Sequence, residues 1–381
     1  MAAYLVQEAI TNGPATHAIV IGVGTYPHLA GGAQRLTASN DGMGQLTSPP
    51  VSARAFADWL IHSYHNPTKP LASVALLLSE PASSSFKNTA TNIEHSVTRA
   101  DIFNVKAALR EWKNRGDSHP DNLLIFFFCG HGIAQGPDTS LLLADYGAVE
   151  ANVLEGAIDF KTFQEAMKRQ CAAKQQLFFV DACRVSSDTL IEKTNYVGDP
   201  ILIGPGMGRS ITPIFYSTLA GEQAFGRVNA PSYFTEKLLK ALNGAGAHNQ
   251  YDDWRVSTSR LKDAIDAFMN RATQDGAQKV QIPIAEELLN FDFHFLKTAP
   301  MIEVRVQCKP VNATRAAQLS CESTNGSALR KERAQLSERP WDVIVPVGEY
   351  QFSAHFANGN FQNGQQTRYV TPPSPIVNLN V

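Results

Sequence analysis

A chain of 381 residues is long enough for two domains, and 44% hydrophobic against 18% charged residues supplies a sizeable core and excludes wholesale disorder. With 33 Lys and Arg against 35 Asp and Glu the net charge is -2, which argues against a dedicated nucleic-acid or membrane-surface binder. No apolar run reaches the roughly 18 residues of a membrane span, Glu8 interrupts the stretch where a signal peptide would be apolar, and five scattered cysteines do not make a disulfide framework; a cytoplasmic protein is expected.

The first strong element is His17 to Val23, HAIVIGV, a β-branched run closed by glycines that reads as a buried strand of a parallel sheet. After a Gly/Pro/Asn-rich loop, Val51, Ala55, Phe56, Trp59 and Leu60 recur at helical spacing. Val74 to Leu78 is the next strand, and the patch ASSS at 82–85 reads as a loop. Asp101 is placed to cap a helix whose apolar positions are Ile102, Val105, Leu109 and Trp112. The most hydrophobic stretch, Asn122 to Gly132, NLLIFFFCGHG, follows as a central strand that stops at glycines. The helix FKTFQEAMKRQ leads to QQLFFVDACR, a second all-apolar strand ending in polar residues. Beyond a long aperiodic segment, Pro213 to Leu219 forms another strand, and YFTEKLLKALNG and VSTSRLKDAIDAFMNRA form two helices. This alternation predicts an α/β domain with a mostly parallel sheet flanked by helices. The composition shifts at Lys297 to Pro300, after which IEVRVQC, DVIVPV and YQFSAHF alternate at period two. The expected division is an α/β domain over 1–297 and a small, sandwich-like antiparallel β domain over 298–381.

In parallel α/β sheets, functional groups gather beyond the carboxyl ends of the strands. Two strands here end in Cys129-Gly130-His131-Gly132 and Asp181-Ala182-Cys183-Arg184. A thiol is a poor nucleophile until deprotonated, and an imidazole beside it can assist that step and later protonate a leaving amine. His131 lies between two glycines, which lets the backbone turn sharply and expose its amides. The N–H groups of Gly132 and Cys183 are therefore candidates to stabilise an oxyanion.

These residues resemble the caspase-like cysteine peptidases, the group of caspases, metacaspases and paracaspases. In that family a strand ends in His-Gly, and a later strand ends in an acidic or amide residue, one further residue and the nucleophilic Cys; here GHG follows LLIFFF and DAC follows QLFFV. HAIVIGVGTY also looks like the family's opening strand, and PIFYSTLAGEQAF like the strand after the active-site loop. The resemblance covers roughly residues 15–297 and implies a caspase-like fold and a cysteine endopeptidase acting on protein substrates, with no cofactor. It makes Cys183 the nucleophile, His131 the general base and acid, Gly132 an oxyanion-hole residue together with Cys183, and Asp181 the lining of the S1 pocket. Metacaspases carry Asp there and cut after Arg or Lys, as a carboxylate that pairs with a guanidinium would require.

The family's second acidic residue, in a run like N-D-A at the start of the first helix, is missing: PPVSARAFADWL places Ser52 or Ala53 there. Asp41 is a candidate second carboxylate that the sequence does not place, while Arg35 and Arg54 are candidates to favour an acidic P1. The segment after Cys183 corresponds to one that shapes the cleft and is processed in relatives; it offers Arg184, Lys193 and Arg209 as self-processing sites. At the family level the resemblance extends to bacterial stress or antiphage defence, and the β domain is the natural place for a regulatory partner. The alternative from another class is a catalytically silent caspase-like binding module or scaffold.

The other four cysteines read as small core hydrophobes, and His17, His28, His62 and His65 as surface or loop residues. Zinc-type spacing is missing, so no metal site is expected. Tyr251-Asp252-Asp253-Trp254 could supply a calcium ligand, as acidic clusters do in some metacaspases, with an exposed turn or cap as the favoured reading.

Overall fold

The computed structural model describes residues 4–37, 42–135, 138–186, 210–219, 222, 224, 226–274, 281–326, 328–357 and 359–381. The chain divides into two compact units, Met1–Leu239 with Lys279–Asn290, and Lys240–Gln278 with Phe291–Val381.

The first unit is built on a central sheet of strands β1 (Leu5–Glu8), β2 (Thr16–Val23), β3 (Leu71–Ser79), β4 (Leu123–Gly130), β5 (Gln175–Ala182), β6 (Ile214–Tyr216) and β7 (Ile284–Glu286), in the spatial order β1-β3-β2-β4-β5-β6-β7. The strands from β3 to β6 run parallel, and β1 and β7 close the edges antiparallel. Every residue of β2 and β4 is buried, because helices cover both faces; this is why these strands read as unbroken apolar runs rather than alternating ones.

Among the described residues this unit holds the helices α1 (Ser48–His62), α2 (Ile102–Asp117), α3 (Phe160–Gln170) and α4 (Tyr233–Lys240), the last residue of α4 falling in the second unit. Alternation along β4 and β5 divides their phenylalanines between the faces. Phe126 lies 6.3 Å from Trp112 of α2 and 5.6 Å from Phe163 of α3, whereas Phe127 and Phe179 lie 4.5 and 5.5 Å from Phe56 of α1. Each fully buried Phe contributes about 1.5–3 kcal/mol of hydrophobic stabilisation.

α1 begins at Ser48, ahead of its apolar periodicity, because Pro49 and Pro50 occupy the first turn, where a missing N–H breaks no helical bond. Asp101 caps α2, accepting the Asn104 N–H at 2.9 Å.

Three features depart from the sequence reading. The edge strand β1 and a hairpin of Ser85–Asn88 with Ile93–Ser96 are additional. A second small sheet, ordered Ala157–Asp159, Asp138–Leu142, Gly132–Gln135 and Val185–Ser186, carries the chain onward from the ends of β4 and β5. His17 is also not a surface residue. It is 6% exposed, with Nδ1 2.9 Å from Ser73 Oγ and its carbonyl accepting the Trp112 indole N–H.

The second unit contains α5 (Thr258–Gln274), a three-stranded sheet of Ala247–Gln250, Asp253–Ser257 and Asp292–Leu296, and two further sheets. Of the latter, one orders Trp341–Pro346, Met301–Lys309 and Ile376–Asn380; the other orders Arg330–Glu332, Gln318–Ser323, Gly348–His355 and Gly364–Val370. Val304, Val345 and Leu379 from the first and Leu319, Phe352 and Val370 from the second fill one core, as a sandwich requires. Met301–Lys309 and Ile376–Asn380 run parallel, a departure from the antiparallel pattern.

By compactness the chain divides after Leu239, with 279–290 returning to the first unit, whereas the sequence boundary lies between 297 and 298. Polar contacts inside the second unit show why. Lys240 meets Glu303 at 2.8 Å, and Arg271 of α5 donates to Ser374 Oγ at 2.7 Å and to the Pro375 carbonyl at 3.0 Å. Among the described residues no helix is long and apolar enough to cross a membrane.

Candidate active site

Strands β4 and β5 pair in parallel with Asp181 opposite Cys129 and Ala182 opposite Gly130. Beyond their ends, Val185 lies opposite Ile133 and Ser186 opposite Ala134. The offset of 52 residues is the same on both sides, so His131 and Cys183 stand at matching positions just beyond the ends of two paired strands, which in sheets lie about 4.8 Å apart. The glycines flanking His131 are demanded by close neighbours. A Cβ on Gly130 would stand 2.8 Å from the Tyr26 hydroxyl, and one on Gly132 would stand 2.6 Å from the Cys183 carbonyl oxygen. The backbones of Gly132 and Cys183 are thus in direct contact.

His131 is held through both its backbone and its ring. Its N–H donates to the Tyr26 hydroxyl at 2.8 Å, and Nε2 lies 2.8 Å from the Gly44 carbonyl. A carbonyl only accepts, so the hydrogen is on Nε2, and Nδ1 is the basic nitrogen of the neutral ring. Cys183 Sγ accepts the Ala224 N–H at 3.3 Å and lies 3.6 Å from the Ala224 carbonyl. Among the described residues these are its hydrogen-bond partners, and the imidazole is not one of them. Burial pushes the Cys183 thiol above its ordinary range, against the Ala224 N–H, which favours the thiolate. Burial pushes the His131 imidazole down, against the Gly44 carbonyl, which favours the imidazolium. Both effects favour a neutral thiol beside a neutral ring.

Asp181 is 4% exposed and faces α1 and α4. Its carboxylate accepts from the hydroxyls of Ser232 and of Thr235, the latter at 2.7 Å, and from the Cys129 thiol at 3.5 Å. Ser232 is at the same time the N-cap of α4, its Oγ accepting the Thr235 N–H at 2.9 Å. Burial raises the Asp181 carboxyl above the usual range, while the hydroxyls and the thiol pull the other way. No cation pairs with it among the described residues. Ser52, in place of the family's second acid, is fully buried and accepts the Ser232 N–H at 2.9 Å.

Arg184 requires a correction. Its guanidinium is 2% exposed, lies 4.0 Å from the centre of the Tyr216 ring and approaches Glu286 at 3.6 Å. A side chain enclosed in this way is not presented for cleavage. Lys193, Arg209 and Asp41 lie outside the described residues. Arg54 is taken up by Glu80 at 2.6 Å and Arg35 by Glu150 at 3.3 Å. Tyr251 and Asp252, both at positive φ, form the two-residue turn of the hairpin pairing Gln250 with Asp253. Among the described residues no three His, Cys, Asp or Glu side chains gather as metal ligands.

The sequence reading missed Gly44 and Ala224, which act through main-chain atoms and have no side-chain signature. It also missed Tyr26, whose only signal is an aromatic residue just past the strand end at Gly24. The sequence reading also missed Ser232, which caps α4 and donates to Asp181.

A family profile described as the caspase domain matches residues 15–293, and the chain belongs to that family. It is 27% identical over 303 residues to the uncharacterized protein y4kE of Sinorhizobium fredii (strain NBRC 101917 / NGR234), covering 77% of this chain and 84% of that one. Among solved structures it is similar to protein GSU0716 from Geobacter sulfurreducens, at 14% identity over 72% of this chain and 93% of that one, with a TM-score of 0.42. It is also similar to caspase-1 from Spodoptera frugiperda, at 11% identity over 73% of this chain and 88% of that one, with a TM-score of 0.37.

Proposed function

We propose that the protein is a cysteine endopeptidase in which Cys183 attacks a peptide carbonyl and His131 moves the protons. The constant register offset through Cys129–Asp181 and Ala134–Ser186 is the observation that supports this reading, because it is what a dyad on neighbouring strand ends requires. Nδ1 takes the thiol proton as Sγ bonds to the carbonyl carbon, and the oxyanion forms beside the amides of Gly132 and Cys183. The imidazolium then protonates the leaving amine, and water activated by the same nitrogen releases the acid from the thioester.

Asp181 supports Arg or Lys at P1. It is a buried carboxylate with hydroxyl and thiol partners but no counter-charge among the described residues, and a basic side chain would supply one. The second reading, a silent binding module, rests on Cys183 Sγ engaging the Ala224 peptide group rather than the imidazole. A role in bacterial defence proteolysis inside the cytoplasm remains the family-level part of the proposal.

A fluorogenic peptide library varied at P1 tests it on wild type, Cys183→Ala and His131→Ala. Wild type should cleave after Arg or Lys, and each variant should fall by at least about a thousandfold with its melting temperature little changed. Hydrolysis by Cys183→Ala at the wild-type rate would remove the nucleophile assignment. Efficient cleavage after Asp alone would remove the basic P1.

A further inference from the structure

His131 has two polar handles, its backbone N–H and its Nε2–H, and both are gripped by the segments that follow β2. The Tyr26 hydroxyl accepts the N–H at 2.8 Å and donates to the Leu142 carbonyl at 3.3 Å, while the Leu142 N–H returns to the His131 carbonyl at 3.0 Å. The Tyr26 ring also lies against the imidazole, centroids 4.9 Å apart. The second handle ends on the Gly44 carbonyl, and the next residue, Gln45, is tied to Tyr26 at both ends of its amide. Gln45 Oε1 accepts the Tyr26 N–H at 2.8 Å, and Nε2 donates to the carbonyls of Tyr26 at 2.9 Å and Ala30 at 3.0 Å. Ala30 N–H donates in turn to Met43 O at 3.1 Å, which fixes the chain on the other side of Gly44.

We infer that Tyr26 and Gln45 are positioning residues for His131, together setting its ring plane and keeping the hydrogen on Nε2 so that Nδ1 is offered to Cys183. The inference rests on the peptidase reading above, in which His131 assists the thiol. Among the described residues neither side chain hydrogen-bonds to Cys183 or to His131 Nδ1. Tyr26 fixes where the imidazole hangs, and Gln45 fixes where the Gly44 acceptor stands. Loss of either lets the ring rotate or slide while the cleft walls remain. Displacements of this kind, near 1 Å, cost about tenfold to a hundredfold in rate.

The test uses a reaction that needs no substrate. Iodoacetamide alkylation of Cys183, followed by peptide mapping across pH 5 to 9, is compared in the full-length wild type, His131→Ala, Tyr26→Phe and Gln45→Ala, with a melting curve for each. In wild type the imidazole should assist thiolate formation, and His131→Ala should lose that assistance. Tyr26→Phe, which keeps the ring, and Gln45→Ala should both move the pH profile toward that of His131→Ala, with rates near neutrality down about tenfold. A purely structural role would lower the melting temperature and leave the profile in place. If both variants follow the wild-type profile while His131→Ala departs from it, the positioning role is wrong and the dyad stands. If His131→Ala itself matches wild type, the dyad reading falls and takes this inference with it.

Discussion

At the scale of single residues, burial sets the protonation states that matter. Besides His131 and Cys183, His17 is sealed between β2 and α2, and burial, aided by the Arg115 charge, lowers its imidazole to about 4. An unfolded histidine titrates near 6.5. As pH falls from about 6.5 toward 4, the unfolded chain takes up a proton that the folded chain refuses, so stability is lost across that window and is fully present above it. The loss attributable to this one residue is at most about 3 kcal/mol. Urea unfolding at pH 7.5 and pH 4.5 should therefore show a larger drop for wild type than for His17→Gln. Equal drops would mean that the ring is not held neutral. Asp181 shows the opposite sign, a carboxyl kept protonated to higher pH than usual by the same desolvation. If the proposed pairing of Asp181 with a basic P1 holds, cleavage after Arg should weaken on acidification, read from the pH profile of KM.

At the scale of elements, the parts legible in the sequence are those that a single physical pattern dictates. LLIFFFCG and QQLFFVDA read as strands because both their faces are covered, and Asp101 reads as a cap because its carboxylate meets the Asn104 N–H. The four-residue β1 and the short strands around 132–159 are too brief and too mixed to carry a period, and β1 pairs with β3, which is distant in sequence. Within the site, Cys183 and His131 were legible as side chains, whereas the acceptor and donor that hold them are peptide groups of Gly44 and Ala224, which any residue could supply. The enclosure of Arg184 was equally invisible, since it depends on Tyr216 one strand away. The contrast between the phenylalanines can be tested. Phe127 is fully buried and stacks on Phe56, so Phe127→Ala should cost about 3–5 kcal/mol in denaturant unfolding. Phe103, in the first turn of α2, is 80% exposed, and Phe103→Ala should stay within about 0.5 kcal/mol. Comparable losses at both positions would place Phe103 in a contact that the chain alone does not make.

At the scale of the whole molecule, the question is where the chain can be cut. The composition break at 297–300 suggests that the last strands come away cleanly, but compactness assigns Lys240–Gln278 to the same unit as those strands. Arg271 illustrates the consequence. Arg271 is 4% exposed, and among its partners are the Ser374 hydroxyl, the carbonyls of Ser374 and Pro375, and Glu303, which lie beyond residue 298. Lys240 likewise ends on Glu303. A chain ending at Lys297 would retain α5 and its hairpin while losing the groups that bond Arg271 and Lys240 and the sandwich core that includes Val304 and Phe352. Such a chain should melt lower than the full-length protein and lose protease resistance first within 240–278, read by limited proteolysis with mass mapping. In the full-length protein, Arg271→Ala should cost about 1–3 kcal/mol, because the buried Ser374 carbonyl and hydroxyl lose the guanidinium that donates to them. If the 1–297 chain instead kept the full-length melting temperature and digestion pattern, the fold would divide at 298 after all. Arg271 would then be a dispensable strut rather than the tie between α5 and the final strands.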